Sequence, residues 1–67
     1  MSDNAIQVGT TVEVSVDIQV LGIITIHAGT KGEVIDIDLD KNTAKVRLDL
    51  LVDITVDLDL DLLIKVG

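Results

Sequence analysis

Two kinds of residue in this 67-residue chain could do chemistry: one histidine and ten aspartates. His27 could serve as a metal ligand or a general base, and Ser15 could stand opposite it in a hairpin. Nucleophilic catalysis needs a base within hydrogen-bond reach of the nucleophile, and a third group to orient that base. With a single histidine and no cysteine, no such set can be recognised. His27 directly precedes Ala28-Gly29, so its plainer reading is a loop residue. The chain is expected not to be an enzyme, and no catalytic, cofactor-binding or metal-binding residue is assigned.

The aspartates fall in two rows. Asp36, Asp38 and Asp40 have the one-three-five spacing that opens an EF-hand calcium loop. The remainder of that pattern fails, because Lys41 stands where the loop requires glycine and Arg47 where it requires a bidentate glutamate. Alternate residues of a strand also point one way, so these carboxylates would line a surface rather than wrap an ion. Weak surface binding of divalent ions fits them better than a built calcium site. Asp53, Asp57, Asp59 and Asp61 form the second row, with few cations near them in sequence. One reading is mimicry of nucleic acid, with carboxylates offered to a DNA-binding protein. The reading preferred here is protective, since outward aspartates on an aliphatic strand without proline blunt edge-to-edge association.

The elements that hold these rows are strands. The central one is a hairpin through residues 33–49. Setting Asp40 against Thr43 brings Leu39 to Ala44, Ile37 to Val46 and Ile35 to Leu48 on one face. The other face then pairs Asp38 with Lys45 and Asp36 with Arg47. Either a two-residue loop, Lys41-Asn42, or a four-residue loop from Asp40 to Thr43 preserves this pairing. Asn42 tolerates positive φ in both. Upstream, Val12, Val14, Val16, Ile18 and Val20 alternate with polar residues and read as one strand, opened by Val8-Gly9. Leu21-Gly22-Ile23 can turn the chain so that Ile24 and Ile26 return opposite Val20 and Ile18. Gly29 and Gly32, three apart, allow positive φ or a bulge where the next strand begins.

Downstream, even positions stay apolar from Ala44 to Leu62, too far for one strand. A bend is expected near Leu50-Leu51-Val52-Asp53. A 3₁₀ turn at about Asp59–Leu62 and a last short strand should follow. No stretch shows a period of 3.6. Residues 1–7 read as a frayed N-terminus and residues 8–67 as one all-β domain, a small five-stranded antiparallel barrel.

This order of pieces resembles the SH3-like small barrels. Val8-Gly9-Thr10-Thr11-Val12-Glu13-Val14 looks like their first strand, and Gly29-Thr30-Lys31-Gly32-Glu33-Val34 looks like the entry to their second after a long loop. Lys45-Val46-Arg47-Leu48-Asp49 is similar to the third, where an aromatic commonly stands at the position of Leu48. Val56-Asp57-Leu58 through Leu62-Leu63-Ile64-Lys65-Val66 looks like the closing strand, 3₁₀ turn and final strand. Nearest are KOW-type modules, the variable chain of ferredoxin–thioredoxin reductase and the C-terminal barrel of nitrile hydratase β subunits. Barrels of the accessory type support a partner and perform no chemistry.

Composition departs from that pattern. The apolar share comes almost entirely from ten Val, nine Ile and nine Leu, with no Phe, Tyr, Trp or Pro. Such a restricted alphabet reads as an engineered or deliberately simplified sequence. Proline-rich peptides are bound in aromatic-lined grooves, and nucleic acid in basic grooves with stacking rings; both devices are missing here. A net charge of −7 repels phosphate backbones and anionic membranes, so neither nucleic acid nor a membrane is expected as a partner. No basic, apolar leader opens the chain and no apolar run is long enough to span a bilayer, so a soluble protein is expected, with its compartment unknown. The functional expectation is a structural scaffold with no specific biochemical activity. The alternative is an acidic protein-binding module, an accessory subunit or DNA mimic. A core of aliphatics alone also favours a monomer or a weak dimer by self-association.

Overall fold

The computed structural model describes residues 5–50 and 52–66, and the alternation of β-branched with polar residues is realised as an all-β chain. The strands are β1 (Thr11–Val14), β2 (Ile18–Val20), β3 (Ile24–Ile26), β4 (Lys31–Asp38), β5 (Thr43–Leu48), β6 (Ile54–Asp59) and β7 (Leu63–Lys65), with a 3₁₀ turn at Leu60–Leu62. Five of them form an antiparallel sheet in the order β6-β5-β4-β1-β7, while β2 and β3 form a separate hairpin. The sheet is not closed, because its end strands β6 and β7 share no ladder. Residues 1–4 of the expected frayed segment, Leu51 of the expected bend and the terminal Gly67 lie outside the described residues. Within the rest of that segment, Ile6 packs against the core.

The run from Val12 to Val20 is two strands rather than one. β1 stays in the sheet between β4 and β7, whereas β2 leaves it after Ser15. The departure is fixed by a partner distant in sequence: both the backbone N–H and the hydroxyl of Ser15 donate to the carbonyl of Leu62, at 2.8 and 2.9 Å. β2 then pairs with β3 in the expected register, Ile18 opposite Ile26 and Val20 opposite Ile24. Its turn takes φ of 55° at Leu21 and 72° at Gly22, the primed geometry that matches strand twist. Leucine in that conformation is strained by roughly 1–2 kcal/mol relative to a residue with no Cβ.

Two similar turns bracket the β1–β4 ladder. In Gln7-Val8-Gly9-Thr10 and in His27-Ala28-Gly29-Thr30, the threonine N–H donates to the carbonyl three residues back, and glycine sits at φ of 92° and 91°. Each glycine N–H then reaches across to the other strand, Gly9 to the Val34 carbonyl and Gly29 to the Val14 carbonyl, both at 2.7 Å. Val34 and Val14 return the bond to Thr10 and Thr30. Glycine is needed at both places because L side chains rarely take that φ.

The central hairpin forms, but in a different register. Thr43 lies opposite Asp38, Ala44 opposite Ile37 and Lys45 opposite Asp36. A bulge follows at Ile35, after which Val34 faces Val46, Glu33 faces Arg47 and Gly32 faces Leu48. The loop therefore has four residues, Leu39 to Asn42, with Asn42 at φ of 57° as expected. One cause is the carboxylate of Asp38, which accepts the N–H groups of Asp40 and Lys41 and so ends the strand earlier than hydrophobic alternation suggests. Leu39 is left 81% exposed. The bulge inserts one residue and reverses parity, so Val34 is buried and Ile35 is 42% exposed. After the loop the even positions do face inward: Ala44, Val46, Leu48 and Leu58 are buried.

These residues, with Val12, Val14, Val34 and Leu63, make an aliphatic core that the β2–β3 hairpin covers through fully buried Ile26. Gly32 lies on the inner face at the tightest point. A Cβ there would stand 2.7 Å from the Arg47 carbonyl oxygen and 2.8 Å from Val46 Cγ1. Val34→Asp is expected to abolish the cooperative thermal transition while Ile35→Asp leaves it in place; equal effects would reverse the assigned faces. Gly32→Ala should destabilise by about 1–3 kcal/mol through overpacking against backbone, read as a lower urea midpoint at unchanged slope.

Candidate functional site

His27 and Ser15 do not meet. Ser15 is held at the Leu62 carbonyl, and the residue across the β2–β3 register from His27 is Asp17. The Asp17 carboxylate accepts the Ala28 N–H at 2.8 Å, and its same oxygen lies 3.9 Å from His27 Nδ1. Both side chains are well exposed. This arrangement secures a turn and offers no nucleophile to activate.

The first acidic row is occupied with its own backbone. Asp36 Oδ1 accepts the Ile37 N–H, and Asp38 Oδ1 accepts two loop N–H groups. Asp40 sits in the loop itself. The three do not converge, and among the described residues no group of three or more His, Asp or Glu is placed to hold a metal ion.

The ion pairs across the hairpin are also reassigned. Arg47 binds Glu33, Nη2 to Oε1 at 3.2 Å, rather than meeting Asp36, and Lys45 lies opposite Asp36 rather than Asp38. The extra residue of the bulge and the shifted loop account for both changes. On its other side Lys45 lies opposite Asp57, and Arg47 lies opposite Thr55. The outer face thus carries charge in stripes: acidic along β4 at Glu33, Asp36 and Asp38, basic along β5 at Lys45 and Arg47, acidic along β6 at Asp57 and Asp59. Exposed pairs of this kind contribute about 0–1 kcal/mol each, so they set register more than stability. An open groove of about 640 Å³ runs past Arg47, lined by Thr11, Lys31, Glu33, Asp49 and Asp53 among others. Its cations are interleaved with carboxylates, which leaves it without a dominant sign.

The second acidic row is exposed throughout. Asp57 and Asp59 lie on β6, which ends the sheet, and Asp61 lies in the 3₁₀ turn. Sequence reasoning overlooked Asp17 and Glu33 as partners of His27 and Arg47. The first was legible, since pairing Ile18 with Ile26 carries Asp17 to His27; the second depended on the bulge. No protein-family model, curated protein or solved structure matches the chain. Among the described residues, no helix is long and apolar enough to cross a membrane. Asp38→Ala should cost about 0.5–2 kcal/mol by leaving two loop N–H groups without their acceptor, measured as a lowered unfolding midpoint that Asp40→Ala does not reproduce.

Proposed function

We propose that this chain is an SH3-like small-barrel scaffold with a simplified, aromatic-free alphabet and no enzymatic activity of its own. The observation that carries the reading is topological. Strand order β6-β5-β4-β1-β7, with a hairpin inserted between β1 and β4 and a 3₁₀ turn before the last strand, is the order expected of such barrels. The chemistry of the side chains agrees with it. His27 is an exposed turn residue beside Asp17, Ser15 donates to a carbonyl, and Asp36 and Asp38 accept backbone N–H groups. A body held by aliphatic packing and turn hydrogen bonds needs no ligand to fold.

A second reading, an acidic protein-binding module, is favoured by the exposed carboxylates of Asp57 and Asp59 on an end strand. For the scaffold, the isolated chain should unfold in one calorimetric transition whose van't Hoff and measured enthalpies agree. Its midpoint should not move in millimolar Ca²⁺. A raised midpoint would require a native-state ion site, and a broad transition without cooperativity would remove the scaffold reading.

A further inference from the structure

We infer that the open edge of β6 is a docking strand for an extended, basic peptide that joins the sheet beyond it; this rests on the acidic protein-binding reading above. Among the described residues, β6 ends the sheet and has a ladder with β5 only. The direction of its peptide groups follows from one hydrogen bond. Asp59 faces Thr43, the next pair in that register is Leu60 with Asn42, and the Leu60 N–H donates to the Asn42 carbonyl at 2.9 Å. In an antiparallel ladder such pairs alternate with pairs that exchange no bond. The bonded pairs are therefore Leu58–Ala44, Val56–Val46 and Ile54–Leu48. Thr55, Asp57 and Asp59 turn their N–H and C=O groups the other way, toward the open edge. A row of this kind is the template on which an extended segment adds as a new strand.

The side chains choose the occupant. Charge alternates from strand to strand across the outer face, acidic on β4, basic on β5, acidic on β6. Lys45 lies between Asp36 and Asp57, whereas the far side of Asp57 and Asp59 faces no strand. A basic strand continues the alternation. On the inner face Ile54 and Val56 are only half-buried, so aliphatic residues at every second position of an incoming strand would cover them. A second copy fits poorly, since β6 against β6 sets aspartate against aspartate between chains of net charge −7. Nucleic acid carries the same sign and is repelled. The ligand class is an extended segment alternating Lys or Arg with Val or Ile.

The probe is a capped heptapeptide of alternating lysine and valine, titrated at low salt into isotope-labelled full-length protein and followed by amide NMR and hydrogen exchange. The amides of Thr55, Asp57 and Asp59 should shift and gain protection, and the effect should weaken as salt is raised. The same peptide with glutamate for lysine should not bind. Thr55→Pro removes one outward donor without changing charge, and an end strand tolerates it because that N–H makes no bond to β5. It should weaken the peptide about tenfold, the scale of one hydrogen bond, while the thermal midpoint stays close to that of the parent. Should that variant unfold, Asp57→Lys with Asp59→Lys gives an independent readout: preference should pass to the glutamate peptide. Binding that protects residues elsewhere and leaves these three amides unchanged overturns the edge inference and leaves the acidic-module reading standing. Absence of any binding by the lysine peptide overturns the inference and counts against the module reading as well.

Discussion

The fold depends on the short ladder between β1 and β4, closed at each end by a glycine whose N–H crosses to the opposite strand. Gly9 reaches Val34 and Gly29 reaches Val14. Those two valines, both buried, are thereby held at the centre of the inner face. β1 also bonds β7, so the same four-residue strand joins the two sides of the sheet. Because the glycines use positive φ, the chain can enter and leave this ladder sharply. It does so without proline, and the following threonine closes each turn through its own N–H.

That constraint explains the shape of β4. Its first half is committed to β1, with Gly32 and Val34 directed inward, while its second half must also supply Ile37 to the core. Gly32 and Val34 share one parity and Ile37 has the other, so one residue must be inserted between them. Ile35 is that residue. The absence of a side chain at Gly32 then lets the β5 backbone come close, and Val46 and Leu48 occupy the space beside it. A core with no rings is filled in this way by many small, close contacts. The β2–β3 hairpin completes it by burying Ile26.

The charges on the outer face follow from the same register. Had β4 been regular beyond this loop, Val34 would have stood opposite Arg47; the bulge brings Glu33 there instead. β5 becomes a basic stripe between acidic neighbours, with Lys45 between Asp36 and Asp57 and Arg47 between Glu33 and Thr55. On the end strand β6, outward peptide groups and carboxylates lie side by side, and Asp57 has a cation opposite it, Lys45, on the β5 side alone among the strands described. The same aspartates that discourage pairing with an identical chain would favour a basic one, because both effects arise from one electrostatic sign.

Local chemistry was legible in the amino-acid sequence wherever a pattern depended on near neighbours. Alternation from Ala44 onward, the Ile18–Ile26 and Val20–Ile24 pairs, positive φ at Asn42, the 3₁₀ turn after Asp59 and the short last strand are all short-range consequences of residue type. The exit of the chain from the sheet at Ser15, the bulge at Ile35, the pairing of Arg47 with Glu33 and the burial of Val34 instead of Ile35 are not. Each is settled by a partner distant in sequence: the Leu62 carbonyl for Ser15, and the competing claims of β1 and β5 on β4 for the rest. Periodicity states which residues can share a face. Only the assembled sheet decides where that face must change sides, since a strand bonded to two neighbours satisfies both ladders at once and gives up one residue of alternation to do it.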